Sequence, residues 1–312
     1  MALTTTTIVG AWTGLGLLLW FISLFVPSPP SKFLLTPEKL RESMIEYGEP
    51  LSSALVAHRG FHYANDDMKR PLENTIAAYE KAWSSNVVYA ECDVTTTKDG
   101  EVVLAHDANL KRLALHPASS VALKPIRQLD YNKDLLNFPL KDGSKVPKLV
   151  EVLQAARRVN INSKLVIEIK EDNLECARKV ALLAATDLGE FIAIVMGFSV
   201  NAVAEFAKIN PRKRHIQVLL LTVKQDAGDG SVVLNLSKLD SVESIVKEKK
   251  LDGVYAEFDQ SFLTDQRFAQ FCKRRIVGVW GLSRDSVSTA VQLIGKGATF
   301  VNSDLPDEFF HV

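Results

Sequence analysis

The chain has 312 residues, of which 47% are hydrophobic. This is enough apolar sequence to bury the core of one large domain or of two smaller ones. The 37 basic and 37 acidic residues give a net charge of zero, so no basic field indicates nucleic-acid binding. Cys92, Cys176 and Cys272 are odd in number and widely spaced, which is neither a disulfide framework nor a zinc-binding pattern.

The N-terminal segment differs sharply from the rest of the chain. Residues 8–26 carry no charged side chain, and a helix of that length reaches roughly 28 Å, close to the hydrocarbon thickness of a bilayer. A cleaved signal peptide usually has a basic start and a shorter apolar run. We therefore expect a single-pass membrane anchor over 1–30 and a linker over 31–52. Basic residues follow the span and none precedes it, which favours a cytoplasmic catalytic domain.

From residue 53 onward, short apolar runs alternate with amphipathic helical stretches, a pattern typical of βα units around a parallel sheet. Eight such runs predict a (β/α)₈ barrel over residues 53–312, and a doubly wound sheet is the alternative fold. Residues 113–148 and 224–236 break the alternation. We interpret both as surface insertions, and the first is long enough to cover part of a site. The predicted strands are 54–58, 87–97, 165–170, 191–198, 215–222, 253–258, 276–281 and 299–302.

Charged side chains stand near the ends of two of these predicted strands. Glu91 and Asp93 are two residues apart, so both carboxylates point to the same face of their strand. Glu168 lies in the next predicted strand and supplies a third carboxylate. Oxygen ligands of this kind suit Mg²⁺ or Ca²⁺ better than zinc. Arg59 and Lys170 would offset the remaining negative charge while contacting a phosphate.

Two histidines accompany the carboxylates. His58 ends the first predicted strand, and His106 follows Asp99-Gly100, a dipeptide typical of two-residue β-hairpin turns. Such a turn pairs His106 with Asp93 and brings their Cβ atoms to about 5 Å. The sequence therefore predicts a general acid or base beside the acidic pair.

Each of these features is weak by itself, because a histidine at a strand end is often structural and ENT can simply start a helix with Asn74 as its cap. Their order, however, resembles the glycerophosphodiester phosphodiesterase family from about residue 55 to residue 306. The matching motifs are HRG at 58–60, ENT at 73–75, E-X-D at 91–93, DG at 99–100, HD at 106–107, IEIK at 167–170, VW at 279–280 and S-D-X-P at 303–306, where the family has T-D-X-P.

This resemblance implies a (β/α)₈ barrel that hydrolyses glycerophosphodiesters to an alcohol and glycerol phosphate with a divalent cation, Mg²⁺ or Ca²⁺. A membrane anchor favours lysophospholipids as further substrates, with lysophosphatidic acid as the product. The implied site residues are Glu91, Asp93 and Glu168 as metal ligands, His58 and His106 as general base and acid, Arg59 and Lys170 at the phosphate, Glu73 in support, and Trp280 in the wall of the alcohol or lipid pocket.

Two other functions stay open. Barrels of the phospholipase C and sphingomyelinase D types also combine histidine with carboxylates, but their motif order fits less well. A barrel that only binds lipid is the second alternative. It has no need of an acid and a base beside a metal, which the intact His58 and His106 would supply.

Overall fold

The structure is a computed structural model and describes residues 53–62, 70–210, 216–282, 287–306 and 309. The described residues lie in the compact unit Leu35–Val312. The predicted anchor and linker lie outside the described residues. Within the described part of the chain, no helix combines the length and the apolar character needed to cross a bilayer.

Eight parallel strands close into a barrel, as the alternating sequence predicts. The strands are β1 (Leu55–Ala57), β2 (Tyr89–Thr96), β3 (Val102–Leu104), β4 (Lys164–Ile169), β5 (Ile192–Gly197), β6 (Gln217–Val223), β7 (Val232–Val233), β8 (Gly253–Glu257), β9 (Ile276–Trp280) and β10 (Phe300–Ser303). The ring runs β1-β2-β4-β5-β6-β8-β9-β10 and returns to β1, while β3 pairs antiparallel with β2 and the short β7 pairs parallel with β6.

The helices pack around the barrel, and several begin at a side chain that caps the first turn. Thr75, Asn173 and Ser199 each accept a hydrogen bond from a backbone N–H in that turn, which is the usual signal for a helix start. The helices are α1 (Ile76–Ser84), α2 (Ser120–Leu123), α3 (Leu149–Val159), α4 (Leu174–Ala184), α5 (Val200–Ile209), α6 (Leu239–Glu248), α7 (Ser261–Thr264), α8 (Gln266–Arg274) and α9 (Val287–Gly295).

Alternation along each strand divides the core into two layers. In β4, Leu165 and Ile167 pack with the helices, while Val166 packs inside the barrel with Tyr255. The same period of two directs Glu168 into the barrel. Glu168 also lies near the carboxyl end of its strand, the end at which barrels of this type carry their active sites.

The segment between β3 and α3 contains the predicted insertion 113–148 and has a hydrophobic cluster of its own. Ile126 and Leu129 are among its buried members, and they pack with Val103 of β3. Ile126 N donates to Ala108 O at 2.9 Å. The segment is thereby fixed beside the loop that follows β3.

The predicted register of the β2–β3 hairpin is wrong by one residue. Ala105, and not His106, lies opposite Asp93, because Ala105 N donates to Asp93 O at 3.0 Å. The loop contains three residues, 98–100, and Gly100 at its third position has φ +81°. A three-residue loop that ends in a left-handed glycine is the next common hairpin after the two-residue turn. His106 therefore lies in the loop after β3.

Candidate active site

Three carboxylates from two neighbouring strands meet at the carboxyl end of the barrel. Glu91 and Asp93 belong to β2, and the β2–β4 register places Glu168 directly beside Asp93. One oxygen from each of the three lies within 4.8 Å of the others. The three residues are only 1%, 1% and 8% exposed, in that order. The structure thus brings together all three metal ligands implied by the sequence.

The oxygens of this cluster are suited to a cation. Glu91 Oε1 is buried and has no hydrogen-bond partner among the described residues, while Asp93 Oδ1 and Glu168 Oε1 both lie near Lys170 Nζ. Buried acceptors in folded proteins are nearly always paired, so three buried carboxylate oxygens with one ammonium group among them fit a bound cation. Carboxylate oxygens are the ligands that Mg²⁺ and Ca²⁺ prefer.

The pKa values of the three carboxyl groups indicate that the cluster needs additional positive charge. Burial, together with Asp93 and Glu168, raises the pKa of Glu91 well above its usual value. Burial and the charge of Asp93 also raise the pKa of Glu168 to about 7. At Asp93 burial acts in the same direction, but Lys170 and Arg59 outweigh it and lower the pKa to about 2. Full ionisation of all three groups therefore requires additional positive charge, such as a divalent cation.

Two basic side chains border the carboxylates. Lys170 Nζ lies 2.6 Å from Glu168 Oε1 and 3.3 Å from Asp93 Oδ1. Arg59 Nε lies 3.4 Å from Asp93 Oδ2, and the Arg59 backbone N–H donates to Glu91 Oε2 at 2.9 Å. Both side chains keep some exposure, 18% for Lys170 and 16% for Arg59. Each can therefore reach a phosphate oxygen at the cluster.

The turn at HRG explains how Arg59 enters the site. Arg59 and Gly60 have φ values of +52° and +83°, a conformation that glycine adopts at little cost. A Cβ at Gly60 would lie 2.8 Å from the Cβ of Ala78 in α1. Glycine thus permits the chain to turn tightly against α1 and to direct Arg59 back toward β2.

His58 forms one of two histidine–aspartate pairs. Its Nδ1 lies 2.6 Å from Asp304 Oδ1, and its Nε2 lies 3.9 Å from Glu91 Oε2. An ionised carboxylate only accepts hydrogen bonds, so His58 Nδ1–H donates and Nε2 remains available for proton transfer. Burial opposes the ionisation of Asp304, but His58 and His62 outweigh it and hold the pKa of Asp304 well below its usual value.

His106 forms the second pair. Its Nδ1 lies 2.8 Å from Asp107 Oδ1, which leaves its Nε2 for proton transfer. Burial lowers the pKa of His106. Asp107 is in turn bound by Arg112 Nε at 2.7 Å, and Arg112 Nη1 reaches Glu73 Oε2 at 2.6 Å. Glu73 also pairs with Arg59, at 3.0 Å. Glu73 thus links Arg59 and Arg112 rather than contacting the three carboxylates.

Trp280 lies at the carboxyl end of β9, on the same end of the barrel as the carboxylates. Its Nε1–H donates to Thr222 O at 3.3 Å. Its ring meets Phe198, which follows β5, edge to face with 5.9 Å between the ring centroids. The two rings form an aromatic wall, and Phe198 is a member that sequence reasoning did not find.

This arrangement agrees with the sequence profile of the glycerophosphoryl diester phosphodiesterase family, which matches residues 58–307. The chain belongs to this family. Several solved structures share its fold. One from Galdieria sulphuraria has a TM-score of 0.64 at 20% identity, over 82% of this chain and 96% of that one. A phosphodiesterase from Oleispira antarctica, in complex with the product sn-glycerol-3-phosphate, has a TM-score of 0.61 at 17% identity, over 82% and 95%.

Curated relatives in the family match shorter segments. A glycerophosphodiester phosphodiesterase of Caldanaerobacter subterraneus is 33% identical over 107 residues, which is 33% of this chain and 40% of that protein. A lysophospholipase D of Mus musculus is 32% identical over 137 residues, 41% of this chain and 40% of that protein. The matched segments thus span less than half the length of either relative.

Several residues of this family site were not found from the sequence. The alternative in which Asn74 simply caps a helix is wrong, since Thr75 caps α1. Asn74 instead has φ +56° and donates its Nδ2–H to Asp93 Oδ2 at 2.8 Å. Asp304 had a weak signal in the terminal S-D-X-P motif. Arg112 had none, because it meets its partners only through the path of the segment between β3 and α3.

His62 is a further residue of the site that sequence reasoning did not find. It is buried, and its Nε2 lies 3.5 Å from Asp304 Oδ1. The spacing in HRGFH does not predict this contact, because the contact forms only where the chain after β10 brings Asp304 next to His62.

Proposed function

We propose that the protein hydrolyses glycerophosphodiesters to an alcohol and glycerol phosphate in a reaction that requires a divalent cation. One observation carries this proposal: three buried carboxylates within 4.8 Å lie beside two basic side chains and two histidine–aspartate pairs. Membership in the family supports the same reaction. Neither a packing role nor simple binding explains the two histidines beside a charged cluster.

Charge is handled by the carboxylates and by the two basic side chains. Glu91, Asp93 and Glu168 would hold the cation, which withdraws charge from the phosphoryl oxygens when bound. Arg59 and Lys170 bind the phosphate and orient it. Because Lys170 also contacts two of the carboxylates, it keeps the phosphate next to the cluster.

Protons are handled by the two histidines. His58 Nε2 accepts a proton from the nucleophile, which is either water or the glycerol hydroxyl, and an O–P bond forms. Attack by the glycerol hydroxyl gives a cyclic phosphate, which water then hydrolyses to glycerol phosphate. Protonated His106 donates its Nε2 proton to the departing alcohol oxygen as the other P–O bond breaks. Asp304 and Asp107 each hold one histidine ring at Nδ1, which leaves Nε2 of each ring for the nucleophile or the departing alcohol.

We further propose that lysophospholipids are substrates and that they yield lysophosphatidic acid. The matched lysophospholipase D of Mus musculus supports this, and so does the aromatic wall of Trp280 and Phe198, because aromatic rings suit an apolar acyl chain. An anchor over 1–30 with the barrel on the cytoplasmic side is part of this proposal.

The test uses the purified full chain on glycerophosphocholine and lysophosphatidylcholine, with Mg²⁺, Ca²⁺ or a chelator. We expect choline release that the chelator abolishes. His106→Ala should lower turnover by about 100-fold or more, because general acid catalysis contributes that much. His116→Ala, at an exposed loop position, is the matched control and should retain turnover.

Other outcomes separate the alternatives. Activity that survives chelation or His106→Ala would contradict the mechanism. Release of phosphocholine in place of choline would favour the phospholipase C type. Absence of turnover on both substrates would favour the barrel that only binds lipid.

A further inference from the structure

The charge of this neutral protein is unevenly distributed. Residues 111–148 contain eight basic and three acidic side chains. This segment therefore has a net charge of +5, and the rest of the chain has −5. The positive excess lies in the segment that contributes Arg112 to the active site.

Part of this segment forms a continuous exposed patch. Two stretches of the chain are joined there by backbone hydrogen bonds, Leu110 N to Ala122 O at 3.1 Å and Ile126 N to Ala108 O at 2.9 Å. Five of the exposed side chains on these stretches make up what we call the basic rim: Lys111, Arg112, Leu123, Lys124 and Arg127.

The basic rim borders the site at His106. A cavity beside the site is lined by His106, Asp107, Pro125, Ile126 and Lys170, among others. Arg127 stands next to Ile126 in this lining and pairs with Glu171 at 3.1 Å. A surface that contacts the rim would therefore lie beside the cavity at His106.

Two features of the rim distinguish it from an ordinary polar surface. Among the described residues, neither Lys111 nor Lys124 has a carboxylate within ion-pairing distance. Leu123 belongs to the same patch and is 48% exposed. The same segment also contributes Leu115 and Leu136 to the seven exposed large hydrophobic side chains of the described residues. Unpaired cations around exposed leucine are typical of surfaces that lie on anionic membranes.

We propose that the basic rim docks on an anionic lipid bilayer and that Leu123 enters the bilayer interface. This inference deepens the proposed function and rests on it, because docking there would deliver a lysophospholipid from the bilayer to the cavity at His106. The lysines supply electrostatic attraction to anionic headgroups, and the leucine supplies apolar contact with the acyl boundary. A zwitterionic bilayer offers only the second of these.

A probe at the rim tests docking without any measure of activity. The three native cysteines are buried, so Leu123→Cys in the full chain can be labelled with a fluorophore that responds to polarity. Ile161→Cys is the matched control, because Ile161 is 64% exposed and lies between α3 and β4, at the opposite end of the barrel. The membranes are phosphatidylcholine vesicles with or without phosphatidylglycerol.

We expect a blue shift of the probe at position 123 with the phosphatidylglycerol vesicles, and a smaller shift at high salt. The probe at position 161 should not shift. An unshifted probe at 123, equal shifts at both positions, or equal shifts with the two vesicle types would each overturn the proposal.

Charge reversal provides a second test. The double variant Lys111→Glu/Lys124→Glu should lower turnover of lysophosphatidylcholine in the anionic vesicles by about tenfold or more. Turnover of soluble glycerophosphocholine should stay within about twofold, since neither lysine contacts the site. The control Lys247→Glu/Lys249→Glu, at the end of α6, should match wild type on both substrates.

Equal losses on the two substrates, or no loss on either, would contradict docking through the rim. If wild type hydrolyses neither substrate, the proposed function fails. The fluorescence result then still decides whether the rim binds the membrane, so the two failures are distinguishable.

Discussion

Asn74 is a neutral side chain that positions Asp93, because it donates to Asp93 Oδ2 at 2.8 Å and accepts from Tyr79 at 2.7 Å. We expect Asn74→Ala to weaken Mg²⁺ binding by about 10- to 100-fold, since outer partners of metal ligands have effects of that size. Titration calorimetry of the purified variant measures this. Asn86→Ala is the control, because Asn86 has a similar φ of +63° and is exposed outside the site. Equal losses in both variants would assign the effect to backbone strain.

In the proposed mechanism, Asp304 acts through its hydrogen bond to His58 Nδ1. We expect Asp304→Asn to lower kcat by about 100-fold with little change in KM, because an amide no longer fixes the Nδ1–H tautomer of His58 and general base catalysis is lost. Steady-state kinetics on glycerophosphocholine give both constants. Asp259→Asn, which removes a carboxylate bonded to Ser261 at another loop of the barrel, should leave kcat unchanged. An Asp304 variant with raised KM and normal kcat would contradict the positioning role.

At the scale of single elements, the turn between β1 and α1 fixes the position of Arg59 through Gly60. We expect Gly60→Ala to lower the free energy of unfolding by about 1 to 3 kcal/mol, because the added methyl overpacks against Ala78. Gly143→Ala is a matched control, since Gly143 has φ +80° but nothing within 4 Å of an added Cβ. Denaturant unfolding of both variants separates the effect of the contact with Ala78 on stability from the effect of a positive φ. Equal losses would show that the contact with α1 contributes nothing.

The β2–β3 hairpin shows why element boundaries were easier to predict than the pairing within elements. The strands are apparent from their apolar runs, but Asp99-Gly100 is compatible with loops of two or three residues. A shift of one residue exchanges the faces of a strand. Here it placed Ala105 opposite Asp93 and left His106 to approach the site from the following loop.

At the scale of the whole molecule, a bound cation should stabilise the barrel by neutralising the buried carboxylates of β2 and β4. At 100 times its dissociation constant, Mg²⁺ contributes about 2.7 kcal/mol, which should raise Tm by roughly 5 to 10 °C for a domain of this size. Thermal unfolding of the full chain with a chelator or with Mg²⁺ measures the difference.

The matched variant for this prediction is Glu168→Gln. Without metal it should be at least as stable as wild type, because one member of a repelling buried group is gone while Lys170 keeps Asp93 as its partner. It should also lose most of the stabilisation by Mg²⁺. A variant that Mg²⁺ stabilises as much as wild type would show that Glu168 is not a ligand.

The parallel βα architecture and the shared face of Glu91 and Asp93 were determined by the sequence itself. Period-two alternation sets that face, and eight apolar runs between helices predict a parallel sheet because each strand must bury both of its faces. Closure of the sheet into a ring and the approach of Glu168 to Asp93 belong to the tertiary structure. Only the tertiary structure decided which groups stand behind the histidines. Asp304 reaches His58 across 246 positions in sequence, through barrel closure. Arg112 reaches Glu73 across 39 positions, through the path of an irregular segment. Neither contact leaves a periodic trace along the chain.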